Sequence, residues 1–205
     1  MMFAGQRVVF VGDSHGEVLG PLLRTALLQR GATVPLVLAN RGWSTSRYVA
    51  SGELDRMRGA RPDLVIYELG GNDGPVSAQA YAPALRAAVG AARAAGAREI
   101  VWIGPARTAE GATPDTAVRH ENNALYQESL LPQMAVRWID SRRHTYGGHG
   151  RDGVHFSRAG YEAWAYGILD DLTESASSPS IGLGLLVIGL GALGAYGLVR
   201  WLRRR

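Results

Sequence analysis

Apolar and polar positions alternate in blocks along this chain. Five short apolar runs, at 8–11, 33–38, 64–69, 99–103 and 134–139, are built largely from Val, Ile, Leu and aromatic residues and read as buried strands. Between them lie stretches with helical patterning at 18–30, 46–58, 78–95 and 116–131, and a last one capped by Ser157 and running to about residue 173. Gly12, Gly70-Gly71, Gly96 and Gly104-Pro105 punctuate the blocks. Strands that alternate with helices five times over call for a parallel sheet covered on both faces. Right-handed crossovers make that an α/β domain of the three-layer α/β/α kind, with a five-stranded parallel sheet.

In such sheets ligands bind at the carboxyl ends of the strands. Three polar clusters fall there: Gly12-Asp13-Ser14-His15, the loop 40–46, and Gly70-Gly71-Asn72-Asp73. Ser14 stands where the first strand gives way to a helix, with Glu17 three positions on, and the pair reads as a capping box. A second reading comes from Asp152-Gly153-Val154-His155. A serine nucleophile needs a base for its proton, a group to orient that base, and donors for the oxyanion. A tight turn at Gly153 brings the Asp152 carboxylate onto one imidazole nitrogen of His155 and leaves the other for Ser14. The assignment is Ser14 as nucleophile, His155 as general acid and base, Asp152 as orienter. The Asn72 side chain and the backbone N–H groups of Ser14 and Gly42 are the candidate oxyanion donors. Against this stand plainer roles: Asn72 as a turn residue, Asp152 as a loop cap, His155 as a packing histidine. His15, next to Ser14, is expected to point elsewhere. Arg41, Trp43 and Tyr48 are candidate pocket residues, and Trp102, Trp138, Tyr161 and Trp164 candidate core. His144 and His149, among Arg142, Arg143 and Arg151, have no metal-ligand spacing and read as a solvated loop.

With these residues in view the sequence resembles the SGNH hydrolases, also called GDSL-type esterases and lipases. Gly12-Asp13-Ser14 matches the block that carries the nucleophile, Gly42 the glycine of the second block, Gly70-Gly71-Asn72-Asp73 the third, and Asp152-Gly153-Val154-His155 the block with the Asp and His of the triad. The resemblance spans residues 8 to about 172. It implies a flavodoxin-like sandwich and hydrolysis of carboxylic esters, with no metal or organic cofactor. His15 stands where the common pattern has leucine. A Gly-Asp-Ser-His start resembles SGNH domains attached to membrane acyltransferases that modify sugars, which brings O-acetylated envelope glycans into view.

Composition narrows the rest. There is no cysteine, so disulfides, thiolate metal sites and cysteine nucleophiles are excluded. The net charge of +4 equals the four arginines Arg200, Arg203, Arg204 and Arg205 at the end of the chain, so the remainder is neutral and offers no nucleic-acid surface. Those arginines close a stretch, 181–199, without a charge or a strongly polar side chain, of a length that fits a membrane-spanning helix. Its six glycines argue against a water-soluble core helix. Gly191 and Ala195 form a small-xxx-small pair that hints at self-association.

The expected organisation is therefore a hydrolase-type domain at 1–174, a linker at 175–180, a membrane helix at 181–199 and a basic tail at 200–205. This describes a single-pass protein with a C-terminal anchor. The short N-terminal apolar run is not a secretory leader and points to a cytoplasmic domain, whereas the trailing arginines favour a cytoplasmic tail and an exported domain. The expected partner is a small-molecule, glycan or lipid ester. An acyltransferase passing its acyl group to a sugar, a glycan deacetylase, and a non-catalytic binding module on the same fold are the competing readings.

Overall fold

A computed structural model describes residues 3–74 and 77–174. Five strands, β1 (Arg7–Gly12), β2 (Thr33–Ala39), β3 (Leu64–Glu68), β4 (Glu99–Ile103) and β5 (Arg137–Ile139), form one parallel sheet in the order β2-β1-β3-β4-β5. The helices are α1 (Gly16–Gln29), α2 (Thr45–Ser51), α3 (Met57–Ala60), α4 (Ala78–Ala94), α5 (Pro114–Leu130) and α6 (Arg158–Glu174).

Side chains of a strand alternate between faces, and each face here has its own core. Val8 and Phe10 of β1 pack with Leu19, Leu23 and Leu27 of α1 and with Trp164 and Ile168 of α6. Val9 and Val11 face the other way, onto Tyr48, Met57, Leu85 and Val89 of α2, α3 and α4. Because β1 lies between β2 and β3, the chain reverses its direction of travel across the sheet beside β1, and Gly12 pairs with Glu68 at that point. The carboxyl ends of β1 and β3 thus frame the crevice where this architecture takes ligands.

Local chemistry moves several boundaries away from the sequence expectation. The single helix expected over 46–58 is broken: Gly52 (φ +76°) caps α2 in the left-handed conformation, and a 3₁₀ turn, Glu53–Arg56, leads into α3. α5 begins at Pro114, before the expected 116, because the Thr113 hydroxyl accepts the Thr116 N–H at 3.2 Å. β5 is shorter than expected because Pro132–Met134 form a 3₁₀ turn and Ala135 sits at φ +51°. Trp102, Trp164 and Tyr161 are buried as expected, while Trp138 is only half-buried, under the Arg142 guanidinium. No described helix is long and apolar enough to cross a membrane. The expected linker, membrane helix and basic tail (175–205) lie outside the described residues.

Trp102 ties the sheet to the crevice. Its ring stacks on Tyr67 with centroids 4.7 Å apart, and its indole N–H donates to the Leu69 carbonyl at 3.0 Å. Trp102→Ala should destabilise the domain by about 3–5 kcal/mol, read as a lower urea midpoint.

Candidate active site

Ser14 is held one residue beyond Asp13, in the turn that joins β1 to α1. Gly12 is required there: a Cβ would come within 2.8 Å of both the Gly16 Cα and the Phe10 ring. Asp13 makes the turn locally, its Oδ1 accepting the His15 N–H at 2.9 Å. The expected capping box does not form. α1 starts after His15 with no side-chain cap; Ser14 faces away from it, and Glu17 instead pairs with exposed Arg41 at 2.8 Å. The turn is backed by a distant residue. The Glu68 carboxyl at the end of β3 lies against Gly12 and Gly16 and faces the N–H groups of Asp13 and Gly16, which lower its proton affinity against the burial that raises it.

The segment 149–157 supplies the second half of the site. Gly153 (φ +65°) turns the chain, and a Cβ on it would overlap the carbonyl oxygens of Ala109 and Glu110. Its own carbonyl accepts the Ala109 N–H at 2.7 Å, so the loop after β4 braces the turn. Asp152 Oδ1 accepts the N–H groups of Val154 (3.0 Å) and His155 (2.9 Å), while Oδ2 meets His155 Nδ1 at 2.7 Å. The His155 hydrogen bond and those two N–H groups hold the Asp152 carboxyl down at about 2. His155 Nε2 reaches Ser14 Oγ at 2.9 Å. Residues 14, 152 and 155, picked from the sequence, are therefore joined in one hydrogen-bonded line. Such a line can draw a proton from the serine hydroxyl and stabilise the imidazolium that results.

His15 points elsewhere, as expected. It is buried, its Nδ1 lies 3.0 Å from the Tyr161 hydroxyl, and its ring packs 5.1 Å from that of His155. Burial, then the nearby His155, pushes it down to about 3, so it stays neutral and serves as a wall behind His155.

Asn72 projects from the loop after β3. Its Nδ2 donates to Asp13 Oδ2 at 2.8 Å and comes within 3.5 Å of the Trp43 carbonyl, which leaves it beside Ser14 in the same cleft. Asp73 anchors this loop from below. It accepts the Thr45 N–H (2.9 Å), the Thr45 hydroxyl (2.7 Å) and the Tyr81 hydroxyl (2.7 Å). Gly42 sits exposed in the turn after β2 (φ +71°) and is not among the residues that line the cleft. Neither its N–H nor that of Ser14 has an acceptor among the described residues.

Other sequence candidates have different roles. Tyr48 is fully buried and lines nothing; its hydroxyl donates to the Gly12 carbonyl at 2.7 Å and steadies the Ser14 turn. Trp43 packs edge-on against Tyr48, with Arg47 over its ring. His144 and His149 are held by Asp171 (2.7 Å) and by the Arg107 carbonyl (2.9 Å), so their loop is tied down rather than simply solvated.

Two features were not singled out in the sequence. One is the wall opposite Ser14, made by Thr116, Arg119 and His120 of α5, which closes a cleft of about 180 Å³. The only hint was that this helix starts beyond the carboxyl end of β4. The other is the buried acid pair. Burial raises Asp13 to about 6 against the pull of the His15 N–H and Asn72, and burial together with the Asp13 charge raises Glu68 well above the usual range. The two titrate as a unit, with the last proton on Glu68.

The sequence model of the GDSL-like lipase/acylhydrolase family matches residues 4–163. The chain belongs to this family. It is an ester-hydrolysing enzyme. No curated protein sequence matches the chain. Among solved structures, this acylhydrolase is similar to a catalytic mutant of Axe2, an acetylxylan esterase from Geobacillus stearothermophilus. That match has 16% identity and a TM-score of 0.66, over 83% of this chain and 95% of that one. A carbohydrate acetylesterase family member from Sinorhizobium meliloti matches at 17% identity and TM-score 0.67, over 82% and 97%. The native aryl esterase of M. smegmatis matches at 16% identity and TM-score 0.66, over 82% and 98%. At these identities the structural likeness establishes the fold.

Two predictions follow from the turn geometry and the acid pair. Gly153→Ala should fold but shift the Asp152–His155 pair, lowering kcat on an aryl acetate about a hundredfold, with circular dichroism confirming the fold. Glu68→Gln keeps an acceptor for the Asp13 and Gly16 N–H groups but cannot ionise. In the unfolded chain Glu68 loses its proton near 4.5, while in the native protein it keeps it to higher pH, so the native state holds the extra proton and stability falls as pH rises. The variant should therefore gain on the wild type as pH rises above about 5, by up to about 1.4 kcal/mol per pH unit, in paired urea melts.

Proposed function

We propose that this acylhydrolase cleaves short-chain carboxylic esters through an acyl-enzyme on Ser14, with His155 as general acid and base and Asp152 as its orienter. The observation that carries this is the unbroken line from Asp152 Oδ2 to His155 (2.7 Å) and from His155 to Ser14 Oγ (2.9 Å).

Ser14 Oγ attacks the acyl carbon and its proton passes to His155 Nε2. The carbonyl oxygen takes the negative charge, met by the Ser14 N–H group and the Asn72 amide. Collapse breaks the bond to the alcohol, which leaves with the proton from His155. Water then adds to the acyl carbon, giving its proton to His155. Release of the carboxylic acid returns the proton to Ser14 Oγ. The cleft of about 180 Å³ favours an acetyl or similarly short acyl group. The acetylxylan and carbohydrate acetylesterases of the same fold support a carbohydrate as the alcohol. In this reading the apolar stretch 181–199 anchors the enzyme to a membrane, a role supported by its length and closing arginines.

The test is hydrolysis of 4-nitrophenyl acetate by the detergent-solubilised full chain beside Ser14→Ala, with fluorophosphonate labelling of both. The variant should lose at least about a thousandfold in kcat and all labelling. Equal rates, or equal labelling, would rule the assignment out.

A further inference from the structure

The α5 wall of the cleft has a chemistry that ester hydrolysis alone does not call for. Arg119 Nε donates to the Gly71 carbonyl at 3.0 Å, which fixes the guanidinium beside the Asn72 loop. Its two Nη groups have no hydrogen bond or ion pair among the described residues. The paired arginines of this chain, such as Arg41, Arg98, Arg142 and Arg158, lie with an acid, and most of those pairs are on open surface. Arg119 is half-buried in the cleft without one.

The acids near Arg119 are already committed. Asp152 is taken by His155, and Asp13 by the His15 N–H and by Asn72. The histidines of the cleft add no fixed charge. His120 Nδ1 lies 3.1 Å from the Ala106 carbonyl, which can only accept, so Nδ1 carries the hydrogen and Nε2 keeps its lone pair. Burial, and then the Arg119 charge, lower the proton affinity of His120, and His15 is neutral as well. Among the described residues lining the cleft, Arg119 is the one with a permanent positive charge. His120 and His155 line this cleft with Arg119, and the departing alcohol collects its proton from His155. A short acyl group carries no charge of its own, so an anionic group that reaches Arg119 belongs to the alcohol part of the ester.

We infer that Arg119 is a specificity residue: the alcohol part of the substrate carries an anionic oxygen group, carboxylate or phosphate, that the free side of its guanidinium holds during acyl transfer. A planar fork of N–H donors matches either group, and a half-buried setting strengthens the pairing. The inference rests on the Ser14 esterase reading and names the class of ester that this site selects.

The experiment compares kcat/KM of the full chain on three mono-O-acetylated sugars: a methyl glucoside, the corresponding methyl glucuronoside, and the methyl glucoside phosphate. 4-Nitrophenyl acetate and fluorophosphonate labelling serve as controls. An anionic sugar should be preferred over the neutral one by about 10- to 100-fold, and the preferred arm tells carboxylate from phosphate. Arg119→Met also loses the Gly71 contact, so its absolute rates fall on every ester; the readout is the ratio of anionic to neutral, which should drop to about one. Arg119→Lys should restore part of the ratio, and added salt should lower it in the wild type. A wild-type ratio of one, or a ratio that survives Arg119→Met, overturns the inference. Turnover of 4-nitrophenyl acetate but of none of the sugars does so too. All three outcomes leave the esterase reading standing, because Ser14 still labels. No turnover of any ester together with no labelling overturns the esterase reading and this inference with it.

Discussion

A carboxyl group buried at the end of β3 closes the turn on which Ser14 stands. Glu68 pairs in register with Gly12 across the sheet, so its side chain lies under the start of α1. There it stands against N–H groups that a helix start leaves without partners inside the helix. A local Ser cap would spend the Ser14 hydroxyl on the helix. With the helix start backed from the neighbouring strand, Ser14 Oγ is left for His155.

That arrangement buries two acids side by side. Asp13 has both oxygens occupied, one by the His15 N–H and one by Asn72, and needs its negative charge to accept both. Glu68 can then stay only as the neutral acid, since two carboxylates in contact in an apolar interior repel strongly. The consequence reaches Asn72. Asn72 is oriented by Asp13, Asp13 by the turn, and the turn by Glu68, so one chain of polar contacts runs from the sheet to the group proposed to meet the developing charge. The geometry of the candidate site is thus a property of β1 and β3 more than of the loops that carry Ser14, Asn72 and His155.

This explains what could be read from the sequence. The strands are nearly continuous apolar runs because both faces of the sheet are covered, so their number, order of appearance and parallel pairing were legible. Asp152 and His155 were legible because a three-residue spacing around Gly153 encodes their contact locally. The part played by Glu68 was not, because it reaches the β1–α1 turn from a neighbouring strand and looks like an ordinary strand-end acid. Tyr48 was misread for a related reason: an aromatic residue near a polar loop gives no sign of whether it faces the cleft or, as here, the Gly12 carbonyl behind it. Arg119 and His120 were invisible because the face a helix turns to a site depends on how its entry loop is tied. Here the Thr113 cap and the Ala109–Gly153 contact set that angle.

The same ties couple recognition to chemistry. Arg119 holds the Gly71 carbonyl, one residue before Asn72, and Asn123 of the same helix donates to the Gly70 and Asp73 carbonyls at 2.7 and 2.8 Å. With Gln127 on the Leu69 carbonyl at 2.8 Å, α5 therefore grips the Asn72 loop at four backbone positions while it lines the opposite wall of the cleft. In the proposed reading, a ligand that draws on Arg119 pulls on the peptide next to Asn72. Binding energy from a part of the substrate that does not react would then bear on the proposed oxyanion donor, and only the fraction felt there would speed the reaction. The lever is a helix already bonded to the loop it positions.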